Sequence, residues 1–303
     1  MPVGNVGAAG AAVIAGGAGS SLGGASSGAA AGAPVGASGS AGASGAAGSG
    51  GVAASSGGSA GMGGLGGTTN GTSGAAGSGG ASSGPKRVLL YHFSTLVIDS
   101  VPMQLTLLRQ KLETWGYEVV ISEDPASLAA TELMRFAAVG MINTCFEPFG
   151  VGKSGLTEAA ALEAFVDAGG GLFGTHCASV TFQSAEPPHP YNAVIGGRGG
   201  HGFFDGASQC RTVASHPSTE GLAPSFTFNG NLDNADFVAP DATVLVKCQW
   251  SGADTKDVAV SWYRTPGKGR VFYTNFAKEA RDLDDASLGA KHILLGLAWV
   301  LGR

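Results

Sequence analysis

The chain has 303 residues and a formal net charge of -5, with only 13% charged residues and 53 glycines. Every charged residue lies beyond residue 84, and no run of basic residues occurs, which argues against a nucleic-acid surface. No apolar run is long enough to span a bilayer as a helix.

Residues 1–84 are Gly, Ala and Ser with a few Val, Ile, Leu, Met, Thr, Asn and Pro, and contain no aromatic residue and no cysteine. With nothing large to bury, such a segment does not offset the entropy of ordering its backbone, so a disordered tether is predicted. Long uncharged tethers of this kind commonly separate an exported domain from an anchor. The first residues lack the positive region of a signal peptide, so an export signal upstream of Met1 is expected. A cytoplasmic protein with a low-complexity tail is the alternative. Residues 85–303 are of ordinary size for one domain and carry ample Leu, Val, Phe and Trp for a core.

Arg87 to Phe93 is an apolar run typical of a first parallel strand. A loop holding Asp99 and Ser100 follows, and Pro102 suits the first turn of a helix. Leu105, Leu108 and Leu112 recur at helical spacing until Gly116. Tyr117–Ser122 reads as a second strand, 128–136 as a short helix, and 137–143 as a third strand ending in Asn143-Thr144-Cys145. The stretch from Leu156 to Asp167 places Leu156, Ala159, Leu162 and Phe165 on one helical face, and Gly169 to Gly171 stop the helix.

Gly171-Leu-Phe-Gly-Thr175 is then a buried strand, and His176 follows between the small residues Gly174 and Ala178. That pattern marks a tight strand-to-helix elbow. Elbows of this kind sit at the carboxyl edge of a parallel sheet, where open α/β folds place ligands.

Past the elbow the chain is richer in strands, at 211–214, 243–248, 258–262 and 270–274, with Pro266-Gly-Lys-Gly269 as a hairpin turn. Residues 288–301 form a closing amphipathic helix. Alternating strands and helices predict an α/β fold: a doubly wound, mostly parallel sheet with helices on both faces and a β-rich C-terminal half.

Several residues are candidates for chemistry. His176 suits general acid/base work or metal ligation at the sheet edge; its plain structural alternative is a buried histidine fixing the elbow. His201, in Gly199-Gly-His-Gly202, is read as lying in a flexible glycine loop. Swung toward His176 with a carboxylate, it would complete a divalent-metal site; otherwise it is an exposed loop histidine. No metal ligand is assigned, and the cofactor is left open. His216, before Pro217, is read as a turn residue. Asp99 and Ser100 suit substrate hydroxyls or a helix cap.

Thr144 and Asn275 follow strands and are expected to share a pocket with Asp99 and His176. Cys177, one step past the elbow, is read as packing rather than as a nucleophile. In an exported domain, Cys145 and Cys177 end strands expected to be neighbours, and a disulfide between them is one pairing among several.

The order of motifs resembles the ThuA-like (trehalose-utilisation) family, a flavodoxin-like branch of the class I glutamine-amidotransferase-like superfamily. The matching pieces are Asp99-Ser-Val-Pro102, Asn143-Thr144, Phe165 to Ala178, Gly196-Gly197 with Gly200-His201, His216-Pro217 with Gly221-Leu222, Trp262, and Gly267 to Thr274. The resemblance implies a carbohydrate or oxidised sugar as substrate; the reading of strand ends and loops adds His176 and Asp99 as the residues that handle it and Ser100, Thr144, His201 and Asn275 as its contacts. A non-catalytic carbohydrate-binding module and a metal-assisted hydrolase are the rival readings. Three positions depart from the family pattern: Ile98 replaces a common His, Asn229-Gly-Asn231-Leu232 an acidic and aromatic motif, and Ala277-Lys278 a Gly-His pair.

Overall fold

A computed structural model describes residues 86–96, 98–250, 256–284 and 287–303, with only the backbone at His201 and Trp250. The tether expected over residues 1–84 lies outside the described residues. Strands β1 (Arg87–Tyr91), β2 (Glu118–Ser122), β3 (Ala138–Ile142) and β4 (Gly171–Thr175) lie close to their expected positions. Later in the chain come β5 (Gly197–Thr212), β6 (Ser225–Val238), β7 (Thr243–Trp250), β8 (Lys256–Arg264) and β9 (Arg270–Thr274). The helices are α1 (Val101–Thr114), α2 (Ala130–Leu133), α3 (Leu156–Asp167), α4 (Pro190–Ile195) and α5 (Leu288–Val300).

Among the described residues, nine strands join one sheet in the order β2-β1-β3-β4-β9-β8-β7-β5-β6. The first five pair in parallel. The pairings from β9 to β8 through to β6 are antiparallel. The sheet is therefore mixed and strongly β-rich, not mostly parallel as the sequence pattern suggested. The correction comes from β5 and β6, of 16 and 14 residues, whose Gly, Asn and Asp content hid them from a search for apolar runs. The helix expected over 128–136 is also shorter. Asp124 Oδ1 accepts from the Ala126 amide at 2.9 Å and starts a 3₁₀ turn at Pro125–Leu128, leaving one α turn in α2.

Alternate residues of the parallel strands feed two hydrophobic clusters, as the two-residue strand repeat requires. Val88, Leu90, Ala138, Phe173 and Phe272 pack with Leu105, Leu108 and Leu112 of α1 and Ile293 and Leu297 of α5. Leu89, Tyr91, Val139, Leu172 and Val271 pack with Leu162, Phe165 and Val166 of α3. Gly296 in α5 lets that helix approach the sheet, since a Cβ there would lie 2.2 Å from the Phe272 ring. Two disulfides, Cys145–Cys177 and Cys210–Cys248, use all four cysteines. The second joins β5 to β7 at directly opposed positions.

Candidate functional site

The carboxyl ends of β3, β4 and β9 lie side by side because the three strands are adjacent and parallel. They deliver Asn143, His176 and Asn275, each less than 3% exposed. His176 opens a 3₁₀ turn at His176–Ser179 with φ of 45°, and Asn143 has φ of 50°. Such left-handed backbone costs a non-glycine residue roughly 1–2 kcal/mol and persists only where surrounding contacts hold it. Small neighbours are required here: a Cβ on Gly174 would lie 2.9 Å from Ile195 and 3.1 Å from Ala178. The Tyr273 hydroxyl donates to the His176 carbonyl at 2.6 Å and accepts from the Ser179 hydroxyl at 2.7 Å.

Asn143 fixes the imidazole. Its amide NH₂ donates to Gln104 Oε1 at 2.7 Å and to the Ala277 carbonyl at 3.1 Å. With both protons used, Oδ1 faces His176 Nδ1 at 3.0 Å, so Nδ1 carries a proton and donates it. Gln104 is held in turn, donating to the Ser100 hydroxyl at 3.0 Å and to the Lys278 carbonyl. Ser100 donates to the same carbonyl at 2.5 Å.

The other ring nitrogen, Nε2, faces Asn231 Oδ1 at 3.1 Å and Asp233 Oδ2 at 3.4 Å. Both come from β6. Asn275 holds that strand against the end of β9, although β6 stands four places away in the sheet order. Its side chain accepts from the Asp233 amide at 3.1 Å and donates to the Asp233 carbonyl at 3.0 Å. Asp233 is 8% exposed and its Oδ2 accepts no hydrogen bond among the described residues. Burial raises its carboxyl above the ordinary value, partly offset by the positive charges of His176 and Lys278. The Asp233 carboxylate and the Asn231 amide oxygen thus both face Nε2.

The residues expected at the site are placed unequally. His176 is at its centre. Ser100 reaches it through Gln104 and Asn143. Thr144 is fully buried beside Asn143. Asn275 positions the backbone of Asp233. Asp99 is exposed in the turn before α1 and takes no part in these hydrogen bonds. His201 belongs by its backbone to β5, which corrects the glycine-loop reading: Gly199 and Gly202 mark an irregular stretch of strand rather than a loop.

Sequence reasoning missed Gln104, Asn143 as the orienting residue, Asn231 and Asp233. The available signal for the last two was strand alternation, since Asn229, Asn231 and Asp233 stand two apart on one face.

Donor atoms of His176, Cys177 and Asp233 lie within 4.8 Å of one another, but Cys177 Sγ is committed to Cys145. Two clefts lie away from these residues. One of about 490 Å³ is lined by Leu107 and Lys111 of α1 with Arg281 and Leu283, and one of about 760 Å³ is lined by Lys86, Lys268 and Arg270. No helix among the described residues is long and apolar enough to cross a membrane.

A family model described as ThuA, trehalose utilisation, matches residues 87–300. Among solved structures, a ThuA-like protein from Bacteroides uniformis ATCC 8492 superposes with a TM-score of 0.56 at 15% identity, covering 73% of this chain and 93% of that one. A ThuA-like protein from Parabacteroides merdae ATCC 43184 gives 0.51 at 16% identity, covering 72% and 90%. At such identities the likeness is one of fold. No curated protein matches the chain in sequence.

Proposed function

The chain belongs to the ThuA (trehalose utilisation) family, and from that premise we propose that it acts on a carbohydrate or oxidised sugar by acid/base chemistry at His176. One observation carries this reading. Asn143 spends both amide protons elsewhere, which holds the His176 proton on Nδ1 and leaves Nε2 to exchange a proton beside Asp233. Asp233 takes the role of acid/base partner, and Asp99, exposed one residue before Ser100, suits a contact to sugar hydroxyls.

A non-catalytic carbohydrate-binding module is the second reading. It is favoured by the 2% exposure of His176 and by the acceptors that face both ring nitrogens. The strand order β2-β1-β3-β4-β9, with apolar clusters involving α1 and α5 on one side and α3 on the other, supports a flavodoxin-like parallel half with helices on both faces. Two disulfides support an exported, oxidising setting.

The test is a screen of the full chain against plain and oxidised disaccharides, reading both binding and turnover. His176→Asn and Asp233→Asn should each lower turnover by on the order of 100-fold while sugar binding persists. Unchanged turnover in a folded His176→Asn protein refutes the acid/base assignment. Binding without turnover in the native chain establishes the second reading.

A further inference from the structure

We propose that the chain, once its Cys145–Cys177 disulfide is reduced, binds a thiophilic divalent cation, zinc by its donor chemistry, on Cys177 Sγ, His176 Nε2 and Asp233 Oδ2. The three donor types are those of a zinc site, and their atoms already lie within 4.8 Å of one another. Ligands held about 2.1 Å from a tetrahedral ion stand about 3.4 Å apart. The separation of His176 Nε2 from Asp233 Oδ2 is 3.4 Å, so that edge is preformed. The edges to Sγ, with a zinc–sulfur bond of about 2.3 Å, span about 3.6 Å and need a contraction of about 1.2 Å at most.

Asp233 supplies an independent sign of a missing cation. Its residue is 8% exposed, yet among the described residues Oδ2 accepts no hydrogen bond, leaving a buried acceptor 3.4 Å from Nε2. Such an atom is costly unless something positive meets it. His176 is also oriented as a ligand requires. Its Nδ1–H donates to Asn143 Oδ1, and that amide is itself fixed by Gln104 and the Ala277 carbonyl. A partner of this kind sets the tautomer with the lone pair on Nε2, which a bound ion would take in place of the present contact to Asn231 Oδ1.

The disulfide closes the site by taking Cys177 Sγ. A thiol or phosphine reductant gives two electrons to the S–S bond; with two protons this yields the Cys145 and Cys177 thiols, and the reductant is oxidised. Binding the ion then displaces the Cys177 proton, and any proton on Asp233, to solvent. Three protein ligands leave a fourth position for water, beside the freed Cys145 thiol. An ion held there occupies both Nε2 and Asp233, so loading would silence the acid/base reaction. That consequence rests on the proposed function, whereas ion binding itself does not.

The experiment uses the full chain with cobalt(II) as the spectroscopic probe and zinc as competitor, and reads no turnover. Cys145→Ser, purified without reductant, leaves Cys177 free. It should take up one equivalent of cobalt with sulfur-to-metal charge-transfer absorption, and zinc should bleach the signal. The oxidised native chain should show none. Adding His176→Asn or Asp233→Asn to Cys145→Ser should weaken cobalt binding at least about tenfold. Should Cys145→Ser not fold, the phosphine-reduced native chain decides, compared with reduced Cys177→Ser, which keeps Cys210 and Cys248. No charge-transfer band from Cys177 in either reduced form, or an affinity indifferent to Asp233→Asn, overturns the site.

Discussion

Acid should unfold this domain through two buried histidines that take no part in the candidate site. His292 of α5 is fully buried; its Nδ1–H donates to the Ser218 carbonyl at 2.9 Å, and Nε2 faces the Ser261 hydroxyl at 2.9 Å. His216 is 6% exposed, stacks on Tyr263 with ring centres 4.6 Å apart, and accepts from the Ser218 amide through Nδ1. Burial pushes both down from the ordinary 6.5 to about 4; for His292 the Ser218 carbonyl opposes this and the neighbouring His216 charge adds to it.

The sign follows from linkage. A base whose folded pKa is depressed binds fewer protons folded than unfolded. Its contribution is complete above pH 6.5 and is lost as pH falls toward 4. Each group then removes about 2 kcal/mol by pH 5 and about 3 kcal/mol in the acid limit. Together they cost about 4 kcal/mol at pH 5, a large share of the roughly 5–15 kcal/mol that holds a domain folded. Asp233 and Asp282, both raised by burial, act in the opposite direction. Comparing variants removes their effect, because the carboxyls are common to both proteins.

Urea unfolding at pH 7 and pH 5, with the disulfides kept oxidised, measures the loss. In His292→Gln the drop between the two pH values should be smaller by about 2 kcal/mol than in the native chain. An equal drop would show that His292 is not the titrating group and would refute the argument.

Removing the Cys210–Cys248 bridge as Cys210→Ser/Cys248→Ser frees a loop with a sequence separation of 38. Chain entropy then predicts a loss of about 4 kcal/mol, read as a shifted urea midpoint, and a loss below about 1 kcal/mol would show that the unfolded chain is not what the bridge restrains. Asn143 is tested with a pair of variants. Asn143→Gly keeps the left-handed backbone but strands Gln104 Oε1, the Ala277 carbonyl and His176 Nδ1, for a loss of about 2–3 kcal/mol by the same unfolding measurement. Asn143→Ala should lose about 1 kcal/mol more, because alanine bears the strain at φ of 50°. Equal stability of the two would mean that the turn relaxes.

The first half of the domain was legible because its strands are buried on both faces and therefore read as apolar runs, from Val88 to Tyr91 and from Leu172 to Thr175. Gly169 and the small residues around His176 marked the elbow for steric reasons that the structure bears out in φ of 117° at Gly169 and in the contacts a Cβ on Gly174 would make. The second half was harder. In β6 burial alternates only in part and the buried positions include Asn231 and Asp233, so the hydrophobic signal that finds a strand is missing where the polar site needs it. The partner of His176 was hidden for the same reason: a carboxylate reached through long-range strand placement leaves no local spacing to read. The Cys210–Cys248 bridge was equally illegible, because its geometry depends on the register of β5 with β7.

The departures from the family pattern look different once the backbone is considered. Ala277 stands where the family commonly has glycine, and its φ of 77° is a conformation glycine adopts at little cost. The alanine keeps that conformation, and with it the carbonyl that fixes Asn143. Lys278, in place of a histidine, serves Ser100 and Gln104 through its carbonyl, which any residue provides. Ile98 packs against apolar neighbours beside the Cys145–Cys177 bridge. At Ala277 and Lys278 the exchange therefore changes the side chain and preserves the backbone acceptor. The β6 exchange differs in kind, because Asn231 presents its amide oxygen to Nε2 and the carboxylate arrives two residues later, from Asp233. The hydrogen bonds that fix Asn143, and through it His176, include main-chain acceptors that the departures leave in place, whereas the carboxylate near Nε2 comes from a single side chain. Substitution at Asp233 thus removes that carboxylate and leaves the hydrogen bonds of the elbow in place.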